Sequence, residues 1–207
     1  MDCIRYMESF MSDNSVQLCL TDIPYGVVNR ASNGLRNLSK KNADIETFDI
    51  ESFIDQVVRV TSGSIYIFCS TEQVSEVRSR LVEKELSTRL LIWEKTNPSP
   101  MNGQSIWLSG VECCVYGKKK GATFNGHCLN TVLRYPTVRS KEHPTQKPLA
   151  LMEKLIQISS NEGDKVFDPC MGSGTTGVAA IKNNIVIFFV NLDTKKVPVV
   201  FYSSDAR

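Results

Sequence analysis

The sequence predicts an α/β fold, one domain built on a mostly parallel sheet with helices on both faces. Three observations lead there. Short apolar runs alternate along the chain with stretches of helical periodicity. The runs are nearly continuous in apolar residues, the pattern of strands buried on two faces. The 207 residues, 42% of them hydrophobic, suffice for one core of ordinary size.

Taken in order, the first strand is Val16–Leu20, an apolar run that breaks off at Thr21 and Asp22. A helix over Asp49–Val60 follows, with Phe53, Val57 and Val60 on one face and Gly63 as its stop. Ser64–Cys69 reads as a strand, and Thr71 with Glu72 opens a helix over Glu72–Leu86. Leu90–Glu94 and Glu112–Tyr116 are the next strands. Between Met101 and Arg139 glycine, asparagine and lysine are frequent and helix signals fade, so irregular or antiparallel structure is expected, inserted into the frame. Pro148 begins a helix to Ser159, with Thr145 able to cap it and Asn161-Glu162-Gly163 as its stop. Strand Lys165–Asp168, helix Thr175–Lys182 and strand Ile185–Val190 complete the set. Trp93, Trp107 and Met152 are assigned to packing.

No run approaches the ~18 apolar residues that span a bilayer, and the acid-bearing start "MDCIRYMESF" is not a signal peptide. Seven cysteines are an odd number, none is spaced Cys-x-x-Cys, and Cys113 and Cys114 are adjacent. That suits neither a disulfide framework nor a zinc site, so no metal is expected and the compartment reads as reducing and cytoplasmic. The charge is uneven. From Lys95 to Lys147 there are eight bases against two acids, Glu112 and Glu142, which leaves the rest of the chain acidic by about four. Lys118, Lys119, Lys120, Arg134 and Arg139 fall in this span, and such a segment leans toward a polyanionic partner.

Two strands end in unusual chemistry. The first delivers Asp22, Ile23, Pro24, Tyr25 and Gly26 in succession. The second runs "KVFDPCMGSGTTGVAA", with Asp168 and Pro169 leading into Gly172-Ser173-Gly174 and a helix from Thr175. Glycines there let backbone approach a ligand closely, and the helix N-terminus favours a negative group. No lysine follows the glycines, so this is not a phosphate-binding P-loop. Open parallel sheets bind ligands beyond the carboxyl ends of their strands, where both stretches fall.

"TDIPYG", "HPTQKP" (143–148) and "DPCMGSGTTGVAA" (168–180), in that order, resemble the amino-group DNA methyltransferases of the permuted beta order. The similarity runs from about Asp2 to Ala180. It implies a three-layer, Rossmann-like, S-adenosylmethionine-dependent fold, 1–207 as one domain with a basic target-recognition insertion at about 95–142, acting on double-stranded DNA. The target is adenine N6 or cytosine N4, and aspartate at position 22 resembles the adenine subgroup. An exocyclic amino group is a poor nucleophile because its lone pair is delocalised into the ring. Asp22 and the carbonyl of Ile23 would accept its N–H groups and free that lone pair, with Pro24 holding residue 23 extended. Tyr25 would stack on the flipped base. The resemblance further implies that Asp168, Pro169, Gly172, Ser173, Gly174 and Thr175 cradle the cofactor, Asp168 facing its amino group and Lys147 its carboxylate. A structural role is expected for His143. Family members usually carry proline where Ile23 stands, a loss of some preorganisation. They usually place a ribose-binding glutamate where Asn191 falls, with Asp193 two residues on. Both termini look shortened, as in a phage-type gene. A cofactor-less DNA-binding remnant and a cytosine-N4 enzyme are the competing readings.

Overall fold

Successive residues of a strand point to opposite faces, and the central strands here are apolar on both. Cys19, Ile65, Ile67 and Phe167 enter one core, whereas Leu18, Leu20, Tyr66, Phe68 and Val166 enter the other. A sheet of this kind needs a helical layer on each side, and the computed structural model has both. It describes residues 2–25, 48–100, 103–138, 146–189 and 200–201. Helices α1 (Cys3–Phe10), α2 (Ile50–Val60) and α3 (Val74–Glu83) cover the first face. Helices α4 (Leu149–Ser159) and α5 (Thr175–Lys182) cover the second.

The strands are β1 (Val16–Asp22), β2 (Thr61–Cys69), β3 (Ser87–Lys95), β4 (Val111–Lys118), β5 (Val132–Tyr135), β6 (Lys165–Asp168), β7 (Val186–Phe189) and β8 (Val200–Phe201). They form one sheet in the order β5-β3-β4-β2-β1-β6-β7-β8. The pairs β1–β2, β1–β6, β6–β7 and β3–β5 are parallel; β2–β4, β3–β4 and β7–β8 are antiparallel. The connection after β1 crosses by α2 on the first face, and the one after β6 by α5 on the second. Adjacent β1 and β6 therefore flank a topological switch point, where open α/β sheets form a crevice.

Several elements depart from expectation. β1 runs two residues beyond Leu20, because Thr21 and Asp22 still pair with Ile67 and Phe68. Gly63 is no helix stop, since α2 passes directly into β2. It lies in β2 beside a register shift in β1, where a Cβ would sit 2.2 Å from the Gln17 carbonyl oxygen. α1 was not expected; Asp2 caps it through Arg5 N–H, and Cys3 and Met7, one turn apart, are buried. The span 95–142 is only partly an insertion. β4 lies inside the sheet between β2 and β3, and β5 closes its edge. Trp93 packs as expected, its indole N–H donating to the Tyr135 carbonyl at 2.9 Å. Trp107 does not. It is 95% exposed, flanked by exposed Ile106 and Leu108 in the β3–β4 connection.

Candidate active site

β1 and β6 run parallel and adjacent, so their carboxyl ends deliver Asp22 and Asp168 to the same edge of the sheet. Thr21 ties them together, its hydroxyl donating to Asp168 Oδ1 at 2.9 Å. Beyond lies an open cleft of about 530 Å³, solvent-facing part included, lined by Asp22, Lys147, Asp168, Gly172, Ser173 and Thr175 among others. The two stretches singled out in the sequence therefore share one cavity.

Asp22 is part of a buried chain of alternating charges. Lys147, 5% exposed, donates to Asp22 Oδ2 at 2.5 Å and pairs with Glu112 at 3.1 Å. Glu112 in turn pairs with Lys95 at 2.9 Å. Burial alone would raise the Glu112 carboxyl, but Lys147 and Lys95 outweigh it and hold the group below the usual carboxylate range. Burial likewise works against the Lys147 ammonium, yet Asp22 and Glu112 together keep it protonated, its pKa raised. Asp22 is the less compensated of the two carboxylates. Burial lifts its pKa, with Lys147 and the Tyr25 hydroxyl offsetting only part of the rise. Its Oδ1 is buried and has no hydrogen-bond partner. A buried carboxylate oxygen without a donor is costly, and a ligand N–H would satisfy it.

The neighbouring residues hold this aspartate's surroundings in place. Ile23 is buried in the first core, and its N–H donates to the Phe68 carbonyl at 3.1 Å, a bond proline cannot make. The isoleucine thus replaces a ring constraint with burial and a rung of the sheet. The Pro24 carbonyl accepts from Gln73 Nε2 at 3.0 Å. The Tyr25 hydroxyl lies 3.5 Å from Lys147 Nζ, and burial, with Asp22 and Glu112 nearby, pushes its pKa far up, so it stays neutral.

On the other wall, Asp168 Oδ1 also accepts from Cys170 N–H at 3.1 Å. Burial lifts this carboxyl to about 6, the hydroxyls of Thr176 and Thr21 and the Cys170 N–H offsetting part of the effect. No lysine or arginine pairs with it among the described residues. Pro169 is buried behind the turn, and Ser173 and Thr175 join their hydroxyls at 2.9 Å. Gly174, at the N-cap of α5, has φ +78°, and a Cβ there would meet nothing within 4 Å. Gly174→Ala is therefore expected to cost backbone strain alone, about 1–2 kcal/mol. That is a fall in Tm of about 2–8 °C, measured by thermal unfolding; an unchanged Tm would contradict the left-handed geometry.

Not every expected site residue reaches the cleft. β4 runs antiparallel to β2, so Lys118 pairs with Ser64, four residues before the Phe68 that pairs with Asp22. Lys118, Lys119 and Lys120 thus lie roughly 13 Å further along the strands, at the opposite end of the sheet, where Lys119 donates to Asn14. Arg134 is different. Its strand is parallel to β3, which brings it to the site end, paired with Glu94 at 3.0 Å. Gly26, Arg139, His143, Thr145, Asn191 and Asp193 lie outside the described residues. Glu112 and Gln73 were not anticipated as site residues. Glu112 was visible only as one of two acids in a basic span, a signal that marks its rarity but not its partner.

A doubly wound sheet with two acidic strand ends and a glycine turn at its switch point is a Rossmann-like architecture. The family model described as DNA methylase, for the N6/N4 enzymes, matches residues 102–194. The type II methyltransferase M2.MboI of Moraxella bovis is 28% identical, over 87% of this chain and 77% of its own. M2.DpnII of Streptococcus pneumoniae is 24% identical, over 94% and 83%. The crystal structure of an M1.HpyAVI–SAM complex superposes with a TM-score of 0.70 at 28% identity, covering 92% of this chain and 90% of that one. The cytosine-N4-specific PvuII DNA methyltransferase shares the fold, with a TM-score of 0.71 at 16% identity over 92% and 79%. The chain is thus similar to the N6/N4 DNA methyltransferases, in sequence and in fold, over most of its length.

Proposed function

We propose that this chain transfers a methyl group from S-adenosylmethionine to N6 of adenine in double-stranded DNA, as the modification arm of a restriction–modification pair in the cytoplasm. The observation that carries the reading is Asp22 Oδ1, a buried acceptor without a donor, on the wall of the cleft that Asp168 and the 172–175 turn share. The cleft also suits the cofactor. A buried carboxylate with no cationic partner fits an ammonium, and the N-terminus of α5 above a glycine turn fits a carboxylate. Lys147, which the sequence puts forward for that carboxylate, is already held by Asp22 and Glu112, so the α5 N-terminus takes the role. Bound there, the cofactor supplies an electrophilic methyl on a sulfonium sulfur.

The protein's part is to make the nitrogen nucleophilic. Asp22 Oδ1 and the Ile23 carbonyl accept the two N–H groups, which draws the lone pair out of conjugation. The raised pKa of Asp22 makes it the more basic acceptor, and it takes the proton the nitrogen sheds once methylated. Tyr25 flanks the base, the 22–25 turn being anchored by Gln73. The DNA approaches the end of the sheet that carries Asp22, Arg134 and the exposed Ile106-Trp107-Leu108 loop. The lysines at 118–120 face the other way and are not assigned to it.

Digesting unmethylated DNA after incubation with protein and cofactor, then identifying the nucleosides by mass spectrometry, tests the assignment. N6-methyladenine is expected; N4-methylcytosine would move the substrate to cytosine, and no methylated base would overturn the activity. Asp168 supplies a second expectation. Its carboxyl must be ionised to hold an ammonium, and in the free protein it titrates at about 6. Cofactor affinity is therefore level near pH 7 and weakens about tenfold per unit as pH falls below 6, read by calorimetry. Asp168→Asn should bind weakly with a flat profile; a wild-type profile flat from pH 5 to 7 would contradict the ammonium contact.

A further inference from the structure

We infer that Gln73 is a positioning residue for methyl transfer, keeping the Ile23 carbonyl free to accept the target amino group. The inference deepens the adenine reading above and rests on it. In a parallel ladder a residue's N–H and C=O go to the two residues flanking its partner in the next strand. The β1–β2 ladder reaches Asp22 opposite Phe68, and Ile23 N–H makes the next bond, to the Phe68 carbonyl. The rung after it would run from Ser70 N–H to the Ile23 carbonyl. It is not made. Ser70 N–H donates instead to Gln73 Oε1 at 3.0 Å, and no backbone N–H donates to the Ile23 carbonyl among the described residues.

The other end of the same amide donates from Nε2 to the Pro24 carbonyl at 3.0 Å. Ser70 N–H can only donate and the Pro24 carbonyl can only accept, so one amide orientation alone satisfies both. Gln73 opens α3 as its N-cap residue, a position where a short side chain usually bonds to the helix. Its side chain makes no such bond and is spent on the catalytic turn, 49 residues away in sequence. A carbonyl already engaged by Ser70 would point its remaining lone pair less freely, and an unclamped Pro24 would let residue 23 drift. Gln73 prevents both with one group, and without touching substrate.

The test uses the full chain with Gln73→Leu and Gln73→Glu. Leucine keeps the size but frees Ser70 N–H for Ile23 and leaves Pro24 unpaired. Glutamate still intercepts Ser70 N–H but sets an oxygen against the Pro24 carbonyl. Loss of two sheltered hydrogen bonds predicts a kcat about 10–100-fold lower for Gln73→Leu, with KM for cofactor and DNA changed less than about threefold. Gln73→Glu should fall between this variant and wild type, and reads the same question should Gln73→Leu not fold. A second readout needs no turnover. The Ser70 amide resonance should shift in Gln73→Leu and stay near its wild-type position in Gln73→Glu. A kcat within twofold of wild type in both variants, or an unmoved Ser70 amide in Gln73→Leu, overturns the inference while leaving the adenine reading standing. A wild-type protein that transfers nothing to DNA overturns that reading and this inference with it.

Discussion

Replacing Asp22 with alanine is expected to slow methyl transfer by at least about 10²–10³-fold, the scale of losing one preorganised charge-stabilising contact, while cofactor affinity stays within about threefold. The reason lies in the local competition for hydrogen bonds. Three carboxylates stand near the cleft, and two are committed: Glu112 to Lys95 and Lys147, Asp168 to Thr21 and Cys170. Asp22 Oδ1 has no hydrogen-bond donor, and Glu112 Oε2, which also lacks one, already lies 3.1 Å from the Lys147 ammonium. Without it the amino lone pair remains in the ring, whatever the cofactor does. Asp22→Asn should recover part of the loss, since an amide oxygen still accepts but carries no charge and takes no proton. Stability is not the confounding factor, because removing Asp22 also removes one of two carboxylates sharing a single ammonium. Single-turnover rates on unmethylated DNA measure the effect; an alanine variant within tenfold of wild type would remove Asp22 from the chemistry.

The second large effect is on folding. Lys147→Met should destabilise the protein by about 3–5 kcal/mol, the cost of stranding buried charge when one partner of an ion pair is removed. Among the described residues Asp22 here loses its only cationic partner, and Glu112 keeps Lys95 alone. In the variant the Asp22 carboxyl, already raised, moves up further and Glu112 loses part of what holds it low, so protonation becomes less unfavourable to the folded state and the deficit against wild type shrinks between pH 7.5 and 5. Adding Glu112→Gln removes one stranded charge and should recover about a third to a half of the loss, a coupling that a merely steric defect would not show. Urea unfolding at the two pH values reads all of this. A deficit under about 1 kcal/mol at pH 7.5 would mean that Lys147 is not the bridge described.

The frame was legible because strand burial is written locally. Ser64–Cys69 and Lys165–Asp168 are apolar runs whose ends nothing else in the chain disputes, and both became strands close to the expected bounds. The cleft was legible because Asp22 and Asp168 close strands that a parallel sheet must turn toward one edge. What stayed hidden depends on strand direction and long-range pairing. Nothing local says that β4 runs against β2, yet that direction sends Lys118–Lys120 away from Asp22 and brings Glu112 to it. The Lys147 motif was visible, but its ammonium's partners sit 125 and 35 positions back. Trp107 looked like core because tryptophan usually is, and only the β3–β4 connection leaves it in solvent. α1 was missed for a different reason, eight residues being too short for a periodicity to declare itself beside its Asp2 cap.

A crystal structure of the protein with S-adenosylhomocysteine and a DNA duplex carrying the target site tests the central claim most directly. The account predicts the ligand's ammonium on Asp168, its sulfur turned toward Asp22, and an extruded adenine whose N6 lies within about 2.7–3.2 Å of Asp22 Oδ1 and the Ile23 carbonyl. A ligand seated elsewhere, or a base that enters with its amino group away from those two oxygens, would contradict it.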